Sequence, residues 1–139
     1  MRSMQEEGLR LFREAESILK RDAQGALNEK AFNMVVRRAQ EAVELALKGA
    51  LKAMGIDYPK VHDVSPLFSE KLQEKRGVYA ADVLERIEEI SLWLSESRTP
   101  SFYFEREYGL EDAQRALHDA AFVMAEIRKF LFSEAVGGA

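Results

Sequence analysis

The chain contains no cysteine. Disulfides and thiolate metal sites are therefore excluded, and the usage suits a reducing compartment. Histidine is almost as scarce, with two in 139 residues, so a zinc site would have to be completed by carboxylates. A ferritin-like di-iron site asks for Glu-x-x-His pairs on facing helices, but the residues three before His62 and His118 are Pro59 and Arg115. The doublets His62-Asp63 and His118-Asp119 have the form used by metal-dependent phosphohydrolases. Those enzymes also need a later Asp, and none follows Asp119, so the reading fails if His118-Asp119 is the doublet. There is no Gly-rich phosphate loop of either common type, and no spacing suggests Ser-His-Asp catalysis. No metal site and no cofactor is expected.

Long apolar runs are missing as well. No stretch approaches the ~20 residues of a membrane span, and Met1 to Asp22 is charged throughout, with no run that would serve as a signal peptide. The expected location is the cytoplasm, with no membrane partner. An excess of basic charge is also absent, the net charge being −4. A generic nucleic-acid binder uses a basic surface to release counterions, so only a local basic patch is left for that role.

What is present is helix. Three Pro and eight Gly sit between stretches that repeat at helical spacing, and none alternates for long with period two. Hydrophobic residues make up 47% of the chain, ample for one core. The spacing predicts five helices: Ser3 to Asp22, Asn28 to Met54, Asp63 or Ser65 to about Gly77, Ala80 to Ser97, and Leu110 to Ala135. Gly25 and Asn28 interrupt the first two, with Asn28 as N-cap of the second and Gly55 as its stop. Short connections favour antiparallel neighbours. The expected fold is all-α, an up-and-down four-helix bundle with an additional short helix, forming a single domain over 1–139 with a flexible tail at about 136–139.

Three groups of polar and aromatic residues stand out. Gln40, Glu44, Lys48 and Lys52 recur every four residues on the second helix and so lie over one another. They read as a solvated face, or as a polar wall against a loop or a second subunit. His62 and Asp63 precede a helix start, where Asp63 suits capping, with His62 packed beside it. Arg98, Phe102, Tyr103, Phe104, Arg106 and Tyr108 fall within eleven residues, in what reads as a loop from Arg98 to Gly109. Such a cluster seals a bundle end or a dimer seam, or stacks on a base while Arg holds a phosphate.

The segment Arg38 to Asp63, RAQEAVELALKGALKAMGIDYPKVHD, resembles the helix-two signature of HEPN domains, a polar helix joined to a short loop ending in His-Asp. Ser97 to Pro100 and then Tyr108 to Ala116, YGLEDAQRA, resemble that family's Arg-x-Pro loop and final helix. The resemblance implies a helical bundle, commonly a homodimer, often encoded beside a minimal nucleotidyltransferase. Some relatives are RNA-cutting toxins, which carry an Arg followed after four to six residues by a His. Here Arg98 is followed at those spacings by Tyr103, Phe104 and Glu105. Tyrosine, with its pKa of about 10, is a poor base near neutral pH. The expected function is a non-catalytic module that binds a nucleotide or a partner, acting with a nucleotidyltransferase in a pair of the toxin-antitoxin type. The alternatives are an RNA-cleaving toxin with a degenerate motif, or a structural interaction domain without a ligand. The candidates for nucleotide or RNA contact are Arg98, Tyr103, His62 and Asp63. Those for a dimer seam or packing are Phe102, Phe104, Tyr108, Gln40, Glu44 and Lys48.

Overall fold

The computed structural model describes residues 3–74 and 79–132, and all its elements are helical. Helix α1 (Met4–Ser17) opens on Ser3, whose side chain accepts the Glu6 N–H. It passes without a break into a π-helical turn, Ile18–Ala23, and then into the short α2, Gln24–Asn28. The remaining elements are α3 (Phe32–Ala53), α4 (Ser65–Gln73), α5 (Ala81–Phe102) and α6 (Leu110–Leu131). Helix α3 is central and packs on α1, α5 and α6, with α4 inserted against α5. This is the expected bundle of long helices with one short helix added. No helix among the described residues is long and apolar enough to cross a membrane.

The apolar periodicity places the core. Phe12, Val36, Val43, Leu47, Leu51, Ile87, Ile90, Leu94 and Ile127 form one buried cluster with Phe68. Each large side chain so enclosed stabilises the fold by about 1.5–3 kcal/mol. Helices α1 and α3 meet at a crossing too tight for side chains. A Cβ on Gly8 would sit 2.5 Å from the Gly49 carbonyl oxygen, and one on Gly49 would sit 2.8 Å from the Gly8 oxygen.

Three boundaries differ from the sequence expectation. The first helical stretch does not stop at Gly25, which lies inside α2 with open space where a Cβ would be. Asn28 does not cap α3. It ends α2 and accepts a bond from Gln24, and Ala31 precedes α3 with no side-chain cap. The actual break is Lys30, at φ 60°, where Lys30 N–H bonds Leu27 O and Ala31 N–H bonds Ala26 O. That is a Schellman ending, with lysine where glycine is usual.

Helix α5 does not end at Ser97. It runs to Phe102 with Pro100 inside it, so Arg98 and Phe102 are helical and the aromatic loop begins at Tyr103. A proline removes one N–H, but so near the end of the helix it forfeits a single bond. The turn is also secured from α3 and from within, because the Arg98 carbonyl accepts from Arg37 Nη1 and from Ser101 Oγ, each at 3.1 Å. The expected ends near Gly77 and Ala135, and the tail at 136–139, lie outside the described residues.

Candidate functional site: an arginine, a histidine and a buried polar row

Helix α3 carries the polar row. Because residues four apart stack, Gln40 Nε2 donates to Glu44 Oε1 and Lys48 Nζ donates to Glu44 Oε2, both at 2.8 Å. The row is not a solvated face. Gln40 is 1% exposed, and the Glu44 and Lys48 side chains are largely covered. The Gln40 side-chain amide oxygen, Oε1, is buried without a partner among the described residues. An orphan of that kind costs about 1–3 kcal/mol, so this stretch departs from what stability alone would select.

The loop after α3 returns over the row and sets His62 Nδ1 3.0 Å from Glu44 Oε1. From the end of α5, Arg98 Nε reaches the same Nδ1 at 3.2 Å. Burial pushes the Glu44 carboxyl up, but the hydrogen bonds from Lys48 and Gln40, the Lys48 charge and His62 outweigh it and hold the group below the ordinary carboxylate range. Glu44 is therefore an anion at neutral pH, anchored on both oxygens.

Beside these groups lies a cleft of about 350 Å³, lined by Ile18 and Asp22 of the π turn, Arg38, Glu41, Glu44 and Leu45 of α3, and Arg98. Glu41 ties up two neighbouring cations, Arg38 at 2.6 Å and Arg37 at 3.4 Å. Arg98 has no carboxylate partner among the described residues, and its terminal nitrogens make no hydrogen bond there.

The other sequence candidates fall elsewhere. Asp63 Oδ1 accepts from Ser65 N, Ser65 Oγ and Ser91 Oγ, at 3.0, 2.6 and 2.7 Å. Asp63 thus fixes the start of α4 and ties it to α5. Phe102 lies under Arg37, 4.7 Å from its guanidinium, and meets the edge of Tyr103 at 4.9 Å. Tyr103 and Phe104 are about two-thirds exposed, at 68% and 67%. Tyr108 is buried, with Arg106 over its ring. No cluster of three or more His, Asp or Glu among the described residues is placed to hold a metal.

Sequence reasoning passed over Asn33, Arg37, Arg38 and Asp22. Asn33 is buried and acts as a staple. Its Nδ2 donates to Ser101 O and Arg106 O, and its Oδ1 accepts from Tyr108 N. An Asn inside an apolar run was the available signal. For Arg37 and Arg38 the signal was Glu41 one turn on, whereas the contacts of Arg37 with α5 could not be read from spacing.

The HEPN domain family model matches residues 9–130. The chain belongs to the HEPN domain family. Among solved structures, this HEPN chain is similar to TT1696 from Thermus thermophilus at 23% identity, covering 88% of this chain and 96% of that one, with a TM-score of 0.69. At that identity the likeness is one of fold. None of the curated proteins compared matches it.

Proposed function

We propose that this HEPN module recognises the phosphate of a nucleotide or RNA through Arg98, with His62 beside it, and does not itself cut RNA. The observation that carries the reading is the state of Arg98. It lines a cleft, lacks a carboxylate, and has both terminal nitrogens unused among the described residues. A guanidinium in that state offers the planar fork that matches a phosphate, which a lysine ammonium does not. Its neighbours Arg37 and Arg38 are already matched by Glu41. The non-catalytic part rests on the absent His downstream of Arg98. In this reading the protein is a cytoplasmic homodimer that works with a minimal nucleotidyltransferase, in the manner of a toxin-antitoxin pair. The exposed Phe102, Tyr103, Phe104 and Leu110 supply an apolar surface for the second subunit.

Isothermal titration with nucleoside monophosphates and a short single-stranded RNA tests the core of the proposal. Arg98→Ala should weaken binding about 10-fold or more with unchanged far-UV circular dichroism. Equal binding by the variant refutes it.

A second reading, RNA cleavage, is favoured by one contact. The chain brings a His to the Arg from a different segment, 3.2 Å apart. A labelled RNA pool incubated at neutral pH with chelator separates the two readings. Cleavage lost in both Arg98→Ala and His62→Ala would establish the second reading, and an intact pool is expected.

A further inference from the structure

His62 Nδ1 is contested by two groups with opposite requirements. Glu44 Oε1, at 3.0 Å, can accept from Nδ1 only if that nitrogen carries a proton, and Arg98 Nε, at 3.2 Å, can donate to it only if it is bare. A neutral imidazole carries a proton on one nitrogen and a lone pair on the other, so each contact is made at the expense of the other. The two rivals are not equally mobile. Glu44 is anchored from both sides by Gln40 and Lys48 on its own helix. Arg98 is a long side chain near the end of α5, held to the rest of the molecule at its guanidinium by this one bond. Asp63, adjacent in sequence, is engaged by Ser65 and Ser91. His62 Nε2 makes no hydrogen bond among the described residues, and the ring is more than half exposed.

We infer that Glu44 is a positioning residue that sets the tautomer of His62, and that a phosphoryl anion drawing Arg98 away commits the ring to it. The second half of this rests on the reading of Arg98 given above; the first does not. In the free protein, Arg98 holds part of the population with Nδ1 bare and a proton on Nε2. Once Arg98 turns to an anion, Glu44 accepts from Nδ1–H, and Nε2 offers a lone pair to the ligand. One proton leaves Nε2 for water and one is taken up from water at Nδ1, so the two tautomers carry the same charge. The ligand this suits carries a phosphoryl group and, beside it, a hydroxyl that donates to Nε2. The partner of one ring nitrogen deciding what the other can do is the ordinary logic of histidine sites.

The experiment is long-range 1H–15N correlation of the histidine rings at pH about 8, above the ordinary histidine range. His62→Gln identifies the signals, and His118 serves as the internal control. In ligand-free Arg98→Ala the Nδ1–H tautomer should rise about fivefold or more relative to Nε2–H, because Glu44 is then unopposed. In Glu44→Gln it should fall, and Lys48 amides should confirm that α3 is intact. Tautomer ratios unchanged in both variants overturn the positioning role. Inorganic phosphate should move the wild type toward Nδ1–H and leave Arg98→Ala where it was. If the variants respond as stated but phosphate moves nothing, Glu44 keeps its role and the anion reading of Arg98 falls.

Discussion

The two long faces of α3 are held by different physics. Toward α1, Gly49 meets Gly8 so closely that backbone touches backbone, and the one ion pair across that face among the described residues, Lys52 with Glu7 at 3.1 Å, lies at its partly exposed edge. Toward the His62 loop and α5, the same helix presents Gln40, Glu44 and Lys48, linked by charge-assisted bonds and including a buried oxygen with no partner among the described residues. The first face is joined chiefly by close contact and the second by polar bonds. A helix that needed only to pack would carry apolar residues on both.

The strongest way to break the comparison is to put a methyl into the first face. Gly8→Ala places a Cβ well inside van der Waals distance of the Ala53 backbone and the Gly49 oxygen. Backbone cannot rotate aside as a side chain would, so a loss of about 3 kcal/mol is expected, at the upper end of overpacking costs. Denaturant titration would show it as a lower midpoint with an unchanged slope. A near-neutral result would mean that the helices separate freely.

The second face should respond to acid instead. The Glu44 carboxyl is held below its ordinary value in the fold. Its contribution to stability is therefore complete above the unfolded value of 4.5, and it is lost as pH falls through the lower folded value. Melting temperature should drop over that window in the wild type and drop less in Glu44→Gln. Gly8→Ala should show the wild-type slope, which keeps the two faces distinct.

The smallest effect sharpens a related contrast between helix ends. Helix α3 ends with Gly55 at φ 79°, where Gly55 N–H bonds Lys52 O and Ile56 N–H bonds Leu51 O. Helix α2 turns in the same way with Lys30 at φ 60°, and α5 ends on Phe104 at φ 54° with the outer bond alone, Glu105 N–H to Pro100 O. Left-handed backbone costs a non-glycine residue about 1–2 kcal/mol. Lys30→Gly and Phe104→Gly are therefore each expected to stabilise, by about 0.5–1 kcal/mol once the added freedom of the unfolded chain is subtracted. Thermal melts of the two variants would check it, and a lowered melting temperature would show that the side chains contribute more than the strain removes.

Those helix ends also explain what was legible in the sequence. The stop at Gly55 was readable because glycine is the residue that reports a left-handed turn. The equivalent stops at Lys30 and Phe104 were not, because nothing in a lysine or a phenylalanine announces a positive φ. Gly25 and Pro100 misled in the opposite sense, being local punctuation that the bundle overrides, the first with open space around it and the second so close to the helix end. The core faces of α3 and α6 were readable because burial follows a fixed angular period. The candidate site was legible only as separate pieces. Arg98, His62 and Glu44 could each be singled out by residue type, but their meeting depends on which ends of α3 and α5 lie together, and periodicity carries no such information. Ile18 and Asp22 entered the cleft through the π turn, which no residue in Ile18–Ala23 announces.

The glycine crossing has a consequence for ionic strength. It fixes the spacing of α1 and α3 sterically, about 15 Å along the helix from where the π turn begins and the cleft opens. Concentrated salt screens exposed pairs such as Arg21–Asp22 and weakens Arg38–Glu41, but it has no purchase on a contact between two backbones. The spacing of α1 and α3 therefore stays where it is while the exposed charges beside it fade. For the phosphate ligand proposed above, affinity measured across a salt series would then report charge neutralisation at a constant spacing of α1 and α3.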